Sequence, residues 1–433
     1  MKVMRWSGRR GLFFAVWLAL LAAGCGQRAD AIARVERGLL ADQGDPPWKR
    51  LALADRMAHH NVPGVSIAVV NDFEIEWAKG YGVLEAEGDE RVTPDTLFQG
   101  ASIGKTVSAV TALRLVEKGL LDLDQDVNER LDSWKVPENE LTAREKVTLR
   151  RLLSHSAGTN KHGYLGYAQD VPLPTLRQVL DGEPPANSPP VQVVSVPGTK
   201  YLYSNGAFLI VQQLLMDVTG KPFERLVAES VFEPAGMTQS TFEVPLPSAL
   251  AGVAAHGHWP DGRAIVGGWH TYPEMGTGAS FWTTPSDLAR FGIEMMRAYR
   301  GEPNRLVSSE IAREMLTRQA AEGVGCGLGF GLSEEGTQHF HFIHDGGNEG
   351  FRCIFVMYPE LGRGAVVMTS GHVGERLWRE ILNGISVEYD LTTDYTVEGM
   401  WAAVGLLAIA VVGIVWWRRR RKGYGTRKGY GTG

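Results

Sequence analysis

Short periodic segments fill most of this chain, and two longer apolar runs lie near its ends. Val65 to Val70 and Phe73 to Lys79, joined across Asn71-Asp72, have the run-turn-run pattern of a β-hairpin. Phe351 to Tyr358, a turn over Pro359 to Gly364, and Ala365 to Ser370 predict a second antiparallel pair, and Cys326 to Leu332 a further strand. Val107 to Leu113 and Phe208 to Leu215 are apolar helical runs. Leu51 to His59 and Glu375 to Ile385 suit helices that cover a sheet. Residues 100 to 240 are predicted to be mainly helical with breaks rich in proline and glycine, notably Gly182 to Pro190. Together these elements predict an α+β fold, an antiparallel sheet flanked by helices plus a mainly helical lobe, over residues 49–390. About 340 residues can bury a substantial core without metal or disulfides.

The end segments place this domain in the cell. Lys2, Arg5, Arg9 and Arg10 precede the apolar run Leu12 to Ala23, which has the charge and length of a secretory signal. The segment closes in Leu21-Ala22-Ala23-Gly24-Cys25, so residues 1–25 read as a signal peptide of lipoprotein type with Cys25 as the lipidated residue. An ordinary signal with an incidental cysteine is the alternative. Residues 26–48 read as a linker. Met400 to Trp417 is an uninterrupted apolar stretch of 18 residues, about 27 Å as a helix and sufficient for a bilayer core. Tryptophans at both edges suit the interfaces, and the basic tail 418–433 starts with four arginines. The positive-inside rule therefore predicts one C-terminal transmembrane helix, a cytoplasmic tail and an extracytoplasmic domain, periplasmic if the membrane is a bacterial inner membrane.

Charge narrows the partners. Of 44 Lys and Arg, four lie in residues 1–25 and seven in 418–433, leaving 33 against all 49 Asp and Glu, a formal −16 for the exported part. Such a domain has no electrostatic basis for nucleic-acid binding. Cys326 and Cys353 are too few for a disulfide scaffold or a zinc site, so no metal or other cofactor is expected. Whether the two pair with each other stays open.

The chemistry concentrates in three motifs. Ser102-Ile103-Gly104-Lys105 is the only Ser-x-x-Lys, placed where the extended stretch Thr93 to Phe98 gives way to the Val107 helix. Residues three apart share a helix face, so the Lys105 ammonium can reach the Ser102 hydroxyl. Tyr203-Ser204-Asn205 is the only Tyr-x-Asn; a phenol beside an ammonium is drawn towards phenolate and can serve as general base. His344-Asp345-Gly346-Gly347 leads into the predicted strand pair, where glycines let the backbone approach a substrate and aim an N–H at an oxyanion. His155, in Ser154-His155-Ser156, reads as a hydrogen-bonded structural histidine.

In this order, Ser-x-x-Lys, Tyr-x-Asn and His-x-Gly resemble the serine β-lactamase and penicillin-binding-protein superfamily, in the branch of class C β-lactamases, D,D-peptidases, D-aminopeptidases and esterases. Leu120 to Asp124, Val147 to Gly158, Val231 to Thr238 and Thr284 to Phe291 also resemble its recurring segments. The resemblance implies a β-lactamase/transpeptidase-like fold with Ser102 as acylated nucleophile, Lys105 as its neighbouring cation and Tyr203 as base. It implies that Asn205 orients the substrate's acyl side chain and the lysine. His344 would stand in the place of a lysine, the N–H groups of Ser102 and Gly347 would form the oxyanion hole, and Asp345 and Gly346 would meet the substrate. Penicillin-directed relatives commonly carry Thr or Ser at the position of Asp345; an aspartate there offers no donor and repels a substrate carboxylate. The expected function is a membrane-anchored extracytoplasmic serine hydrolase acting on a small-molecule or peptide ester or amide. The alternatives are a β-lactamase or D,D-peptidase, and a non-enzymatic sensor acylated at Ser102.

Overall fold

The structure is a computed structural model and describes residues 28–40, 49–160, 163–319 and 325–391. Six strands build the main sheet: β1 (Gly64–Asn71), β2 (Glu74–Gly82), β3 (Gly331–Ser333), β4 (His341–Asn348), β5 (Phe351–Tyr358) and β6 (Arg363–Thr369). Their order is β2-β1-β6-β5-β4-β3, with every neighbouring pair antiparallel. The inner strands are runs of apolar residues because both faces are covered, and the two-residue period divides each run between two cores. Val65, Ile67, Val69, Ile354, Val356, Ala365 and Val367 belong to one core. Ala68, Val70, Cys353, Phe355, Met357, Val366 and Met368 belong to the other.

Helices supply both covers. A helix over residues 28–37 (α1), α2 (Leu53–His59) and α6 (Gly374–Tyr389) share the first core, and α5 (Pro285–Arg300) packs on the opposite face. Beyond α5 lies the helical lobe, built around α3 (Gly104–Glu117) and α4 (Asn205–Thr219). Every residue of α3 from Gly104 to Leu113 is buried, its polar members included: Thr106, Ser108 and Thr111 donate their hydroxyls to main-chain carbonyls three or four residues back.

The α+β architecture follows the sequence reading, with four local differences. The segment 26–48 contains α1, whose Ala31 and Val35 enter the core and whose Arg34 pairs with Glu388 at 2.6 Å. The strand expected over Cys326 to Leu332 shortens to β3, with Cys326 in a lone bridge to Gly331. The extended stretch before Ser102 contracts to Phe98–Gln99, paired with Trp282–Thr283. Between α3 and α4 the helices are short, such as Leu149–Leu153 and Leu176–Asp181. Cys326 and Cys353 do not pair. Both are free, and burial pushes each thiol up to about 12. The signal segment with Cys25, the span 400–417 and the tail lie outside the described residues. Among the described residues no helix is long and apolar enough to cross a membrane.

Candidate active site

Ser102 lies in a single 3-10 turn, Ala101–Ile103, that runs straight into α3. Ala101 has φ +46°, a left-handed conformation that costs a side-chain-bearing residue ~1–3 kcal/mol and persists only where surroundings enforce it. Those surroundings are visible: Gly100 N–H donates to Phe281 O at 2.8 Å, and Asn348 Nδ2 donates to Gln99 Oε1 at 2.7 Å and Ala279 O at 2.8 Å. The nucleophile turn is thus fastened to the segment 279–281 and to β4.

Lys105, one turn on, points its Nζ at Ser102 Oγ at 2.9 Å and at Thr277 O at 2.7 Å. The side chain is fully buried. Burial brings its pKa down to about 7, against a smaller upward pull from Asp345. Tyr203, just ahead of α4, donates its hydroxyl to the same Ser102 Oγ at 2.9 Å. One serine oxygen therefore meets both the amine and the phenol. The electrostatics differ from the sequence expectation. Burial drives the Tyr203 phenol upward, outweighing the hydrogen bond to Ser102, and Asp345 adds to the rise. Tyr203 is a neutral phenol at rest, and the group tuned to neutral pH is Lys105.

Asn205 opens α4, but among the described residues its buried Oδ1 has no hydrogen-bond partner, and the second contact of Lys105 goes to Thr277 O instead. Sequence reasoning missed Thr277. Its loop is braced by Gln212 Oε1 accepting from Gly276 N–H at 2.8 Å and by Ser108 Oγ donating to Gly276 O at 3.0 Å. Gly278, at φ +81°, lies so near that a Cβ would stand 2.3 Å from Ala101 O. The signal available in sequence was Gly276-Thr277-Gly278 itself, two glycines around one carbonyl.

The third motif lies on β4. Strand β3 pairs only with His341 to Ile343, so among the described residues the half of β4 from His344 to Asn348 has no partner on that side. The nucleophile turn approaches there: a Cβ on Gly346 would stand 2.3 Å from Gly100 O. His344 Nδ1 contacts the Asp345 carbonyl oxygen at 2.6 Å, so Nδ1 carries the proton. Burial lowers the His344 pKa, with Lys105 adding to the fall and Asp345 opposing it. A neutral imidazole does not offset the Asp345 charge. Asp345 is exposed, opposite Ile354 on the α6 face of the sheet. A cavity of about 320 Å³ is lined there by His155, Tyr201, Tyr203, His344, Asp345 and Trp378, among others. A larger one of about 760 Å³ lies between α2 and β2 and includes none of the motif residues.

The Beta-lactamase family model matches residues 50–382. The chain belongs to the β-lactamase family of serine hydrolases. Within this β-lactamase and penicillin-binding-protein superfamily it is 26% identical over 370 residues to penicillin-binding protein 4 of Amycolatopsis lactamdurans, covering 78% of this chain and 90% of the relative. It is 25% identical over 385 residues to the unguisins hydrolase of Aspergillus violaceofuscus, covering 77% of this chain but only 65% of that protein. The fold is similar to the octameric penicillin-binding protein homologue from Pyrococcus abyssi, with a TM-score of 0.64 at 23% identity over 78% of this chain and 76% of that one.

Proposed function

We infer that this β-lactamase family member is a serine hydrolase working through an acyl-enzyme on Ser102. The observation that carries the reading is one serine oxygen held at 2.9 Å by a buried lysine and at 2.9 Å by a tyrosine. Near neutral pH much of Lys105 is free amine. As Ser102 Oγ attacks the substrate carbonyl carbon, its proton passes to Lys105 Nζ. The backbone N–H groups of Ser102 and Gly347 receive the oxyanion, consistent with the glycine-permitted approach of β4 to the nucleophile turn. When the bond to the leaving group breaks, the Tyr203 phenol protonates the departing atom, and the Lys105 ammonium restores the proton to Tyr203. Water then takes the place of the leaving group, and the same transfers run in reverse.

The substrate class follows from Asp345. A carboxylate beside a neutral His344 disfavours a substrate carboxylate, so neutral esters and amides suit the site better than penicillins or terminal D-alanyl peptides. A chromogenic short-chain ester, a cephalosporin and a D-alanyl peptide given side by side to the full-length protein should show turnover of the ester first. Preference for the cephalosporin or the peptide would overturn this assignment. Asp345→Thr should raise penicillin acylation relative to ester acylation by about 1 to 3 kcal/mol, the scale of a relieved like-charge contact plus one charge-assisted hydrogen bond. An unchanged ratio would remove Asp345 from the specificity argument.

The reading includes anchorage, supported by the signal-like residues 1–25 and the Trp-flanked apolar run before the arginines. Protease added to cells with a permeabilised outer envelope should digest residues 49–390 and spare a tag after Gly433. The opposite pattern would reverse the orientation.

A further inference from the structure

We propose that His155 is a positioning residue that holds Tyr203 on Ser102; the proposal rests on the proton-transfer role of Tyr203 given above. The backbone N–H groups on both sides of Tyr203 end on this one residue. Leu202 N–H donates to His155 O at 2.7 Å, and Ser204 N–H donates to His155 Nδ1 at 3.1 Å. Because Nδ1 accepts, the ring is neutral with its proton on Nε2. The imidazole also lies against the phenol, ring centroids 4.3 Å apart and planes inclined by 34°. Three contacts therefore hold the short stretch that aims the tyrosine, and that stretch lies outside regular structure just before α4.

The geometry at His155 is itself unusual. It follows the short helix Leu149–Leu153 with φ +56°, in the left-handed region that few residues with a side chain enter and where asparagine, aspartate and histidine are enriched. This conformation turns the His155 carbonyl and its ring towards the same neighbouring segment. Downstream, Gly198 N–H donates to Ser156 O at 2.7 Å, which extends the clamp to the turn that precedes Tyr201. His155 is buried, so water does not compete for these acceptors.

Removing the clamp should act on rate through tyrosine placement and not through substrate affinity. With p-nitrophenyl butyrate and the full-length protein in detergent, His155→Ala should lower kcat about 10²-fold, the scale of an ångström-sized misplacement at a reacting centre, with KM little changed. His155→Asn retains an acceptor oxygen near the place of Nδ1 and tolerates the left-handed backbone, so it should recover kcat to within about tenfold of the parent protein. His155→Phe keeps a ring but no acceptor and should not recover. The deciding measurement is a double-mutant cycle with Tyr203→Phe, which alone should cost about 10²-fold or more. If His155 acts through Tyr203, His155→Ala adds little to Tyr203→Phe; if the losses multiply in full, the positioning role is wrong. A near-normal rate for Tyr203→Phe would instead sink the tyrosine's own role, an outcome the single mutant reports independently of His155. Should His155→Ala fail to fold, the cycle with His155→Asn and His155→Phe makes the same comparison. Recovery by phenylalanine but not asparagine would also overturn the proposal.

Discussion

Ser102→Ala is expected to abolish ester turnover, with a loss on the order of 10⁶ in kcat, as seen when a serine nucleophile is removed from an intact site. It should also abolish covalent labelling by a fluorophosphonate, while thermal unfolding stays close to that of the parent chain. The reason lies in how little else Ser102 Oγ does. It receives the Lys105 and Tyr203 contacts, whereas the turn is fastened by Gly100 N–H, Gln99 and Asn348, none of which the substitution touches. Lys105 also keeps its bond to Thr277 O. Rate and labelling must disappear together. Labelling of the variant at another serine with retained turnover would move the nucleophile elsewhere, and the roles drawn from the Ser102 contacts would go with it.

The parts of this arrangement legible in sequence were those written in local pattern. The hairpin, the Phe351–Tyr358 strand and both covering helices follow from runs whose period matches their burial. Ser102, Lys105 and Tyr203 were legible because their types, spacing and order match a family frame, and the structure brings all three to one oxygen. Two kinds of feature were not. Thr277 contributes only a main-chain carbonyl, to which its residue type gives no clue, and it reaches Lys105 from 172 positions away. The relative tuning of Lys105 and Tyr203 depends on desolvation, a property of everything packed around them, so a pairwise argument from a nearby ammonium predicted the wrong direction for the phenol. Helix α1 escaped because its few apolar residues, Ala31 and Val35, find their place in a core shared with α6, some 350 residues further along.

That tuning leads to the second large effect, at Lys105. Lys105→Met should lower the acylation rate by about 10³ to 10⁴, the upper part of the range for a lost general base. The pH dependence tests which protonation state works. Burial favours the neutral amine, so the folded-state pKa falls to about 7, and the competent base is present above that value and lost as pH drops through it. The logarithm of kcat/KM for a non-titrating ester should rise with unit slope below about 7 and level off above it. Lys105→Arg supplies a cation that cannot give up its proton. It should therefore be nearly as slow as the methionine variant and show no inflection near neutrality. A parent profile that instead declines above pH 7, with arginine restoring most of the rate, would mean that the working form is the ammonium. Tyr203 would then have to serve as phenolate despite its burial. The two profiles differ in sign at the same pH, so one titration of the parent enzyme separates a lysine that removes the Ser102 proton from one that only supplies positive charge.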